Sequence, residues 1–363
     1  MKQRLGCQLI ALALCGTSAA GQEALQQRVN AVHALIWSNY IQPESGQLLT
    51  RLDMQGRPFY QPGLRESPSI EDCSLYGGMY LDAMLSRYTV TRKPGTAART
   101  RVIFRSLLKN ATVSPAKGML ARGTHPDGKT YWGEPSVDQY TGVIFGLWRY
   151  YRNPIATEEE KSEIRSVFGQ FLRRLEKDGW TICNEEGRPT RFGDLGALVP
   201  TRAERLLAFL LAGAEITGDA HWLDVYAREK KARLQLCESY TAKMGEPWVQ
   251  VQNAMALRIL LDLAQDPKDR EVFLRGAQSA SDVCIPFLQG YRKIVRPDGS
   301  FMGRQEMLDA GLWSESALTS ALRNPFDAVT VVLLLERTEH YKQALDVYRE
   351  IVERLDFTQL RYS

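Results

Sequence analysis

The chain has 363 residues, 44% of them hydrophobic, and 46 Lys and Arg against 42 Asp and Glu give a formal net charge of +4. Its basic residues are scattered rather than blocked, which argues against nucleic acid as a partner. Beyond the first twenty positions no apolar run approaches the roughly 20 residues that a bilayer span requires.

The N-terminus carries Lys2 and Arg4, an apolar run over 5–14, and then Ser18, Ala19 and Ala20. That order predicts a secretory signal peptide over 1–20, cleaved after Ala20. Residues 21–363 are then one exported domain, periplasmic or extracellular, with no membrane attachment after cleavage. Cys7 and Cys15 leave with the signal, and Cys73, Cys183, Cys237 and Cys284 remain. Their spacing suits no zinc site. Cys237 with Cys284 is the disulfide to test first, and four buried thiols are the alternative.

Helical apolar spacing begins at 23–40, followed by a short β-hairpin over 48–60 that turns at Gln55 and Gly56. An S-x-x-D pair, Ser69 and Asp72, predicts the start of a second helix that Pro94 and Gly95 stop, and a basic third helix spans 97–110. The stretch 122–152 is a polar turn loop feeding an apolar helix, with Ser136 and Gln139 as a capping box and Asp138 in the first turn. Thr157 and Glu160 open a charged helix, a turn-rich loop fills 180–195, and Thr201 with Glu204 caps an apolar helix that Gly218 ends. Helices over 221–240, 248–264 and 268–288 follow, then a loop over 290–307 and a helical segment over 308–322. Asn324 and Pro325 open another helix, and 341–355 brings the expected total to eleven or twelve.

Long connections end near Ser69, Ser136, Thr201 and Asn324, and short ones lie at Pro94, Asn153, Gly218 and Asp266. In an antiparallel helical series, alternate connections lie on one side, so one face gathers the long loops. Behind those loops Asp72, Asp138, Glu204 and Asp327 each fall near an expected helix start, where the helix dipole favours a carboxylate. Taken singly each acid is a cap; gathered at one mouth they suit a polar ligand.

This pattern resembles the six-hairpin glycosidases, an all-α class with an (α/α)6 toroid: a double ring of helical hairpins, with small β-hairpins in the long loops of one face. S-V-D-Q-Y at 136–140 resembles the catalytic-Asp segment of unsaturated glucuronyl and rhamnogalacturonyl hydrolases, and I-E-D-C at 70–73 falls where those enzymes keep a second pocket Asp. The usual D-D pair of that segment is D-Q here. The resemblance implies a secreted glycoside hydrolase of oligosaccharides, including unsaturated uronyl ones, with Asp138 as general acid and base and Asp72 either binding sugar hydroxyls or setting the proton affinity of Asp138. It implies an oligosaccharide partner and no cofactor; no glycine-rich phosphate loop follows a strand in this chain either.

Further contacts expected at the mouth are His125 and Trp132 in the loop before Asp138, Gln139 beside it, and Arg191, Asp194 and Arg202 around the 180–201 connection. Trp248 and Asn253 on one helix and Trp313 near the last long loop complete the set. Tryptophans suit stacking on sugar faces, and guanidinium groups suit bidentate capture of a uronate. Two other functions remain open: a toroid polysaccharide lyase with His125 and Tyr131 or Tyr140 as its base, and a carbohydrate-binding toroid without catalysis.

Overall fold

The computed structural model describes residues 19–50, 52, 57–60, 65–240, 247–293, 295–300, 302–311 and 315–354. Its α-helices are α1 (Ala19–Asn39), α2 (Cys73–Thr91), α3 (Pro94–Thr112), α4 (Val137–Tyr151), α5 (Glu158–Lys177), α6 (Pro200–Thr217), α7 (His221–Arg233), α8 (Pro247–Leu263), α9 (Pro267–Cys284), α10 (Arg304–Asp309), α11 (Glu315–Leu335) and α12 (Tyr341–Arg354). Strands β1 (Thr181–Cys183) and β2 (Pro189–Asp194) form an antiparallel hairpin between α5 and α6.

Burial separates the helices into two layers. α4 and α6 are buried on almost every face, as an inner helix must be. α5 buries one stripe, Ile164, Val167, Phe168, Phe171, Leu172 and Leu175, and turns its charges outward. Inner helices α2, α4, α6, α8 and α11 pack in sequence, and each is backed by its following hairpin partner α3, α5, α7, α9 or α12. The chain is therefore an all-α toroid of hairpins in two rings, and among the described residues α1, packed on α12, stands alone at the remaining position. Isolated bridges Ile41↔Leu48, Leu52↔Pro58 and Thr124↔Tyr131 put further small antiparallel pairs in the long connections.

The α2–α4 crossing is a close one. A Cβ on Gly78 would lie 1.9 Å from the Gly142 carbonyl oxygen, and one on Gly142 would lie 2.5 Å from the Leu75 backbone. Only glycine permits that separation, and it draws the N-termini of α2 and α4 together. Farther along the inner helices ion pairs tie neighbours together, among them Arg149–Asp82 at 2.6 Å and Arg258–Glu336 at 3.2 Å. The long loops lie at the N-terminal ends of the inner helices.

Several expected starts differ. α2 begins at Cys73 with Asp72 as its N-cap residue, and Ser69 sits in a preceding 3₁₀ turn. Asp72 makes no side-chain cap hydrogen bond because its carboxylate is engaged across the ring. α6 is entered through Val199 with Pro200 in its first turn, so Thr201 and Glu204 are not its cap; Glu204 lies deeper and fully buried. α11 begins by Glu315 and carries Pro325 in its interior. The expected start at Asn324 is not observed: the helix runs through Pro325, at the cost of one backbone hydrogen bond. Asp327 is consequently mid-helix and away from any helix start.

The four cysteines Cys73, Cys183, Cys237 and Cys284 are free and buried, so Cys237 and Cys284 form no disulfide. Residues 1–18, with most of the expected signal, and 53–56, the expected turn at Gln55 and Gly56, lie outside the described residues.

Candidate functional site

Asp138 enters from the first turn of α4, where the expected capping box is present: Gln139 Oε1 accepts from the Ser136 backbone N–H at 2.8 Å. Asp72 enters from the residue before α2. Gln139 Nε2 donates to Asp72 Oδ1 at 2.6 Å, so one amide both caps α4 and holds the acid of the neighbouring helix. Arg122 donates to the same Oδ1 at 3.1 Å and to the Glu71 carbonyl at 2.7 Å, while its guanidinium lies 5.0 Å over the Trp132 ring. Asp72 Oδ2 has no hydrogen-bond partner among the described residues.

Burial raises the Asp72 carboxyl above the ordinary carboxylate range; Arg122 opposes the shift, and the negative charges of Glu71 and Asp138 add to it. The two aspartates are therefore electrostatic neighbours, and burial favours the protonated form of Asp72. Asp138 has a different setting. Its Oδ1 accepts from Arg205 at 2.9 Å, and Arg205, with a side chain only 1% exposed, also donates to Asn253 Oδ1 at 3.1 Å. Asn253 in turn donates to Gln250 Oε1 at 3.0 Å. This chain runs α4, α6, α8 and carries the ring's polar interior. Glu204 lies beside Arg205, and burial pushes its carboxyl up to about 8 against the pull of that arginine. Of the two acids beside Arg205, Asp138 is the one within hydrogen-bond distance, at 2.9 Å against 3.8 Å for Glu204.

Arg202 sits a turn nearer the mouth. It donates to its neighbour's carbonyl, Thr201 O, at 3.3 Å and has no ion-pair partner within 4 Å among the described residues. Burial and Arg205 depress its proton affinity, with Asp138, Glu204 and Asp194 acting the other way.

The structure thus brings Asp72, Asp138, Gln139, Arg202 and Asn253 together, with Asp194 at their edge on β2. Gln139 and Asn253 are fully buried and act on other side chains rather than on the opening. Trp132 is half-buried beneath Arg122, its indole N–H enclosed without an acceptor. Trp248, half-buried, is in the first turn of α8. His125 is placed elsewhere in its loop: Nε2 meets the Arg65 carbonyl at 3.0 Å and its ring packs 5.2 Å from that of Tyr60. Arg191 is exposed over the Phe192 ring at 4.9 Å. Trp313 lies outside the described residues.

Arg205 and Arg122 were not among the expected contacts. The signal for Arg205 is legible afterwards: an E-R pair directly before the apolar run L-L-A-F-L-L must bury its charges on an inner helix, and a buried arginine needs a partner. Arg122 carries no such local mark, because its role follows from a loop folding back on α2. No group of three or more metal-ligating side chains is found among the described residues.

No family model matches the chain, and no curated protein does. Among solved structures the chain is similar to one titled as a D-mannose isomerase, at 13% identity and a TM-score of 0.46, over 92% of this chain and 86% of that one.

Proposed function

We propose that this chain is an exported glycoside hydrolase acting on oligosaccharides that carry an anionic, uronyl-type sugar. The observation that carries the reading is the division of labour between the two aspartates. Asp72 is raised by burial and keeps one oxygen unengaged, which suits a proton donor. Asp138 is fixed by Arg205 and keeps its second oxygen for a water or a sugar hydroxyl. Relative to the sequence expectation the roles are exchanged: Asp72 supplies the proton, and Asp138 orients the attacking water. Gln139 and Arg122 hold Asp72 in place, while Asn253 and Gln250 hold Arg205. Arg202, without a carboxylate partner, is the group suited to a uronate. The basic, apolar and small residues of the first twenty positions support export.

The test is incubation of the purified chain with a panel of 4,5-unsaturated uronyl oligosaccharides, following the unsaturated-uronate absorbance and the products. Loss of absorbance with wild type, abolished in Asp72→Asn and Asp138→Asn proteins that retain their melting temperature, supports the reading. Growth of that absorbance on intact polysaccharide would assign a lyase instead. Calorimetric binding without any turnover would leave a carbohydrate-binding toroid.

A further inference from the structure

A second site lies away from the aspartates, at the seam of the ring. Inner helices α2 and α11 line a cavity of about 440 Å³, closed on the outside by α1 and α12, with Phe145 of α4 and Met255 of α8 at its inner end. Among the described residues a single helix stands at this position, where each other position has a hairpin. Its walls are chiefly aliphatic and aromatic, including Val32, Met79, Val329 and Leu333. The volume falls within the range of small-molecule sites. A well-packed interior leaves few voids larger than a water, so a gap of this size calls for an occupant.

Apart from Thr330 on α11 and Tyr348 on α12, the polar groups of the lining are on α1 and α2. His33 and Tyr80 line the cavity and lie 3.4 Å apart, Nδ1 to hydroxyl. Ser86, 4% exposed, also lines it, and its hydroxyl has no hydrogen-bond partner. Arg87 and Arg99 are the charged neighbours of both His33 and Tyr80. Neither arginine has a carboxylate within ion-pair distance among the described residues: Arg87 donates to the Asn30 amide oxygen at 2.5 Å, and Arg99 lies over the Trp37 ring at 4.9 Å. One Arg87 nitrogen is enclosed without an acceptor. His33 is pushed down to about 4 by burial and by these two arginines, so it stays neutral and adds no charge of its own at physiological pH. The one acid on the wall, Asp82, is neutralised by Arg149 at 2.6 Å. The site therefore combines an apolar body with a hydroxyl that has no hydrogen-bond partner among the described residues; Arg87, next in sequence to Ser86, and the exposed Arg99 are not part of the wall but are near enough to His33 and Tyr80 to act on them electrostatically.

We propose that the cavity binds a single-chain amphiphile with a carboxylate head, its alkyl body between α2 and α11 and its head at Ser86, Arg87 and Arg99. The probes are decanoate and decan-1-ol, titrated calorimetrically into the full chain with melting temperature read in parallel. Decanoate is expected to bind one to one and raise the melting temperature. Decan-1-ol, lacking the charge, is expected to bind at least about tenfold more weakly, the scale of a lost charged hydrogen bond. The Arg87→Gln, Arg99→Gln double variant should lose that difference, and Val329→Phe, which fills the void, should lose both ligands. If V329F does not fold, Ala83→Trp at the exposed lip of the cavity makes the same reading. Absence of binding, equal affinity for the two probes, or binding that survives the filled or blocked cavity overturns the proposal.

Discussion

Gln139 Nε2 lies 2.6 Å from Asp72 Oδ1, across the glycine-lined crossing of α2 and α4. The same side chain's oxygen accepts from Ser136, so its orientation is fixed: oxygen toward its own helix start, amino group toward the acid. A carboxylate at position 139 would preserve the cap and reverse the second contact.

Gln139→Glu is therefore a selective test. The cap survives, because Glu accepts from Ser136 as Gln does, and the melting temperature should change little. Asp72 loses a donor and gains a like charge, which raises its proton affinity further. The alkaline limb of the pH–rate profile should move upward by about one pH unit or more, the scale of a close like charge. Measured kcat at neutral pH should fall by roughly tenfold or more, the size of a mis-set general acid. An unmoved profile would remove Asp72 as the proton donor.

The same crossing explains what the sequence disclosed and what it withheld. Apolar periodicity and the alternation of connection lengths exposed the helices, the two layers and the face that carries the long loops. The capping box at Ser136 was readable because its partners are three residues apart. Asp72 and Gln139 are 67 positions apart, and their contact depends on how closely α2 approaches α4. Pro325 misled for a related reason: local propensity marks a break, and tertiary packing overrides it. Glu204 looked like a cap by spacing, whereas Pro200 had already taken the first turn.

Gly78 tests whether the close crossing sets the site. Gly78→Ala would place a Cβ 1.9 Å from the Gly142 carbonyl oxygen, a backbone atom with no rotamer to yield. The helices must separate, at a cost of about 1–3 kcal/mol or more for an overpacked interior. Denaturant unfolding should register the loss, and activity should fall further than stability does, because Gln139 is withdrawn from Asp72. Gly95 offers the control: its added Cβ meets nothing within 4 Å, so Gly95→Ala should be close to neutral.

Arg205 should behave as a buried ion-pair partner. Arg205→Met leaves Asp138 without its cation and Asn253 Oδ1 without its donor. Removing one member of such a pair typically costs about 3–5 kcal/mol. In the double variant with Asp138→Asn the stranded charge is gone as well, and part of the stability should return. Equilibrium urea unfolding of the wild type, both single variants and the double variant gives the coupling directly. A coupling near zero would detach Asp138 from the interior network.

Glu204 makes stability depend on pH in a direction opposite to the usual paired carboxylate. Its folded pKa, about 8, stands above the ordinary 4.5 because burial penalises the charge more than Arg205 rewards it. Between those values the folded state binds a proton that the unfolded state has released, so its contribution falls as pH rises. The contribution is complete below about 4.5, declines from there to about 8, and is lost above. Each pH unit of that window is worth about 1.4 kcal/mol, so the total reaches at most about 5 kcal/mol. Glu204→Gln keeps the neutral shape and removes the titration. Wild type and E204Q should be nearly equal in stability at pH 4.5, and the variant should be the more stable of the two at pH 8.5. Urea midpoints measured across that range decide it: parallel curves would mean that Glu204 is already charged at neutral pH and that Asp138 is not alone in balancing Arg205.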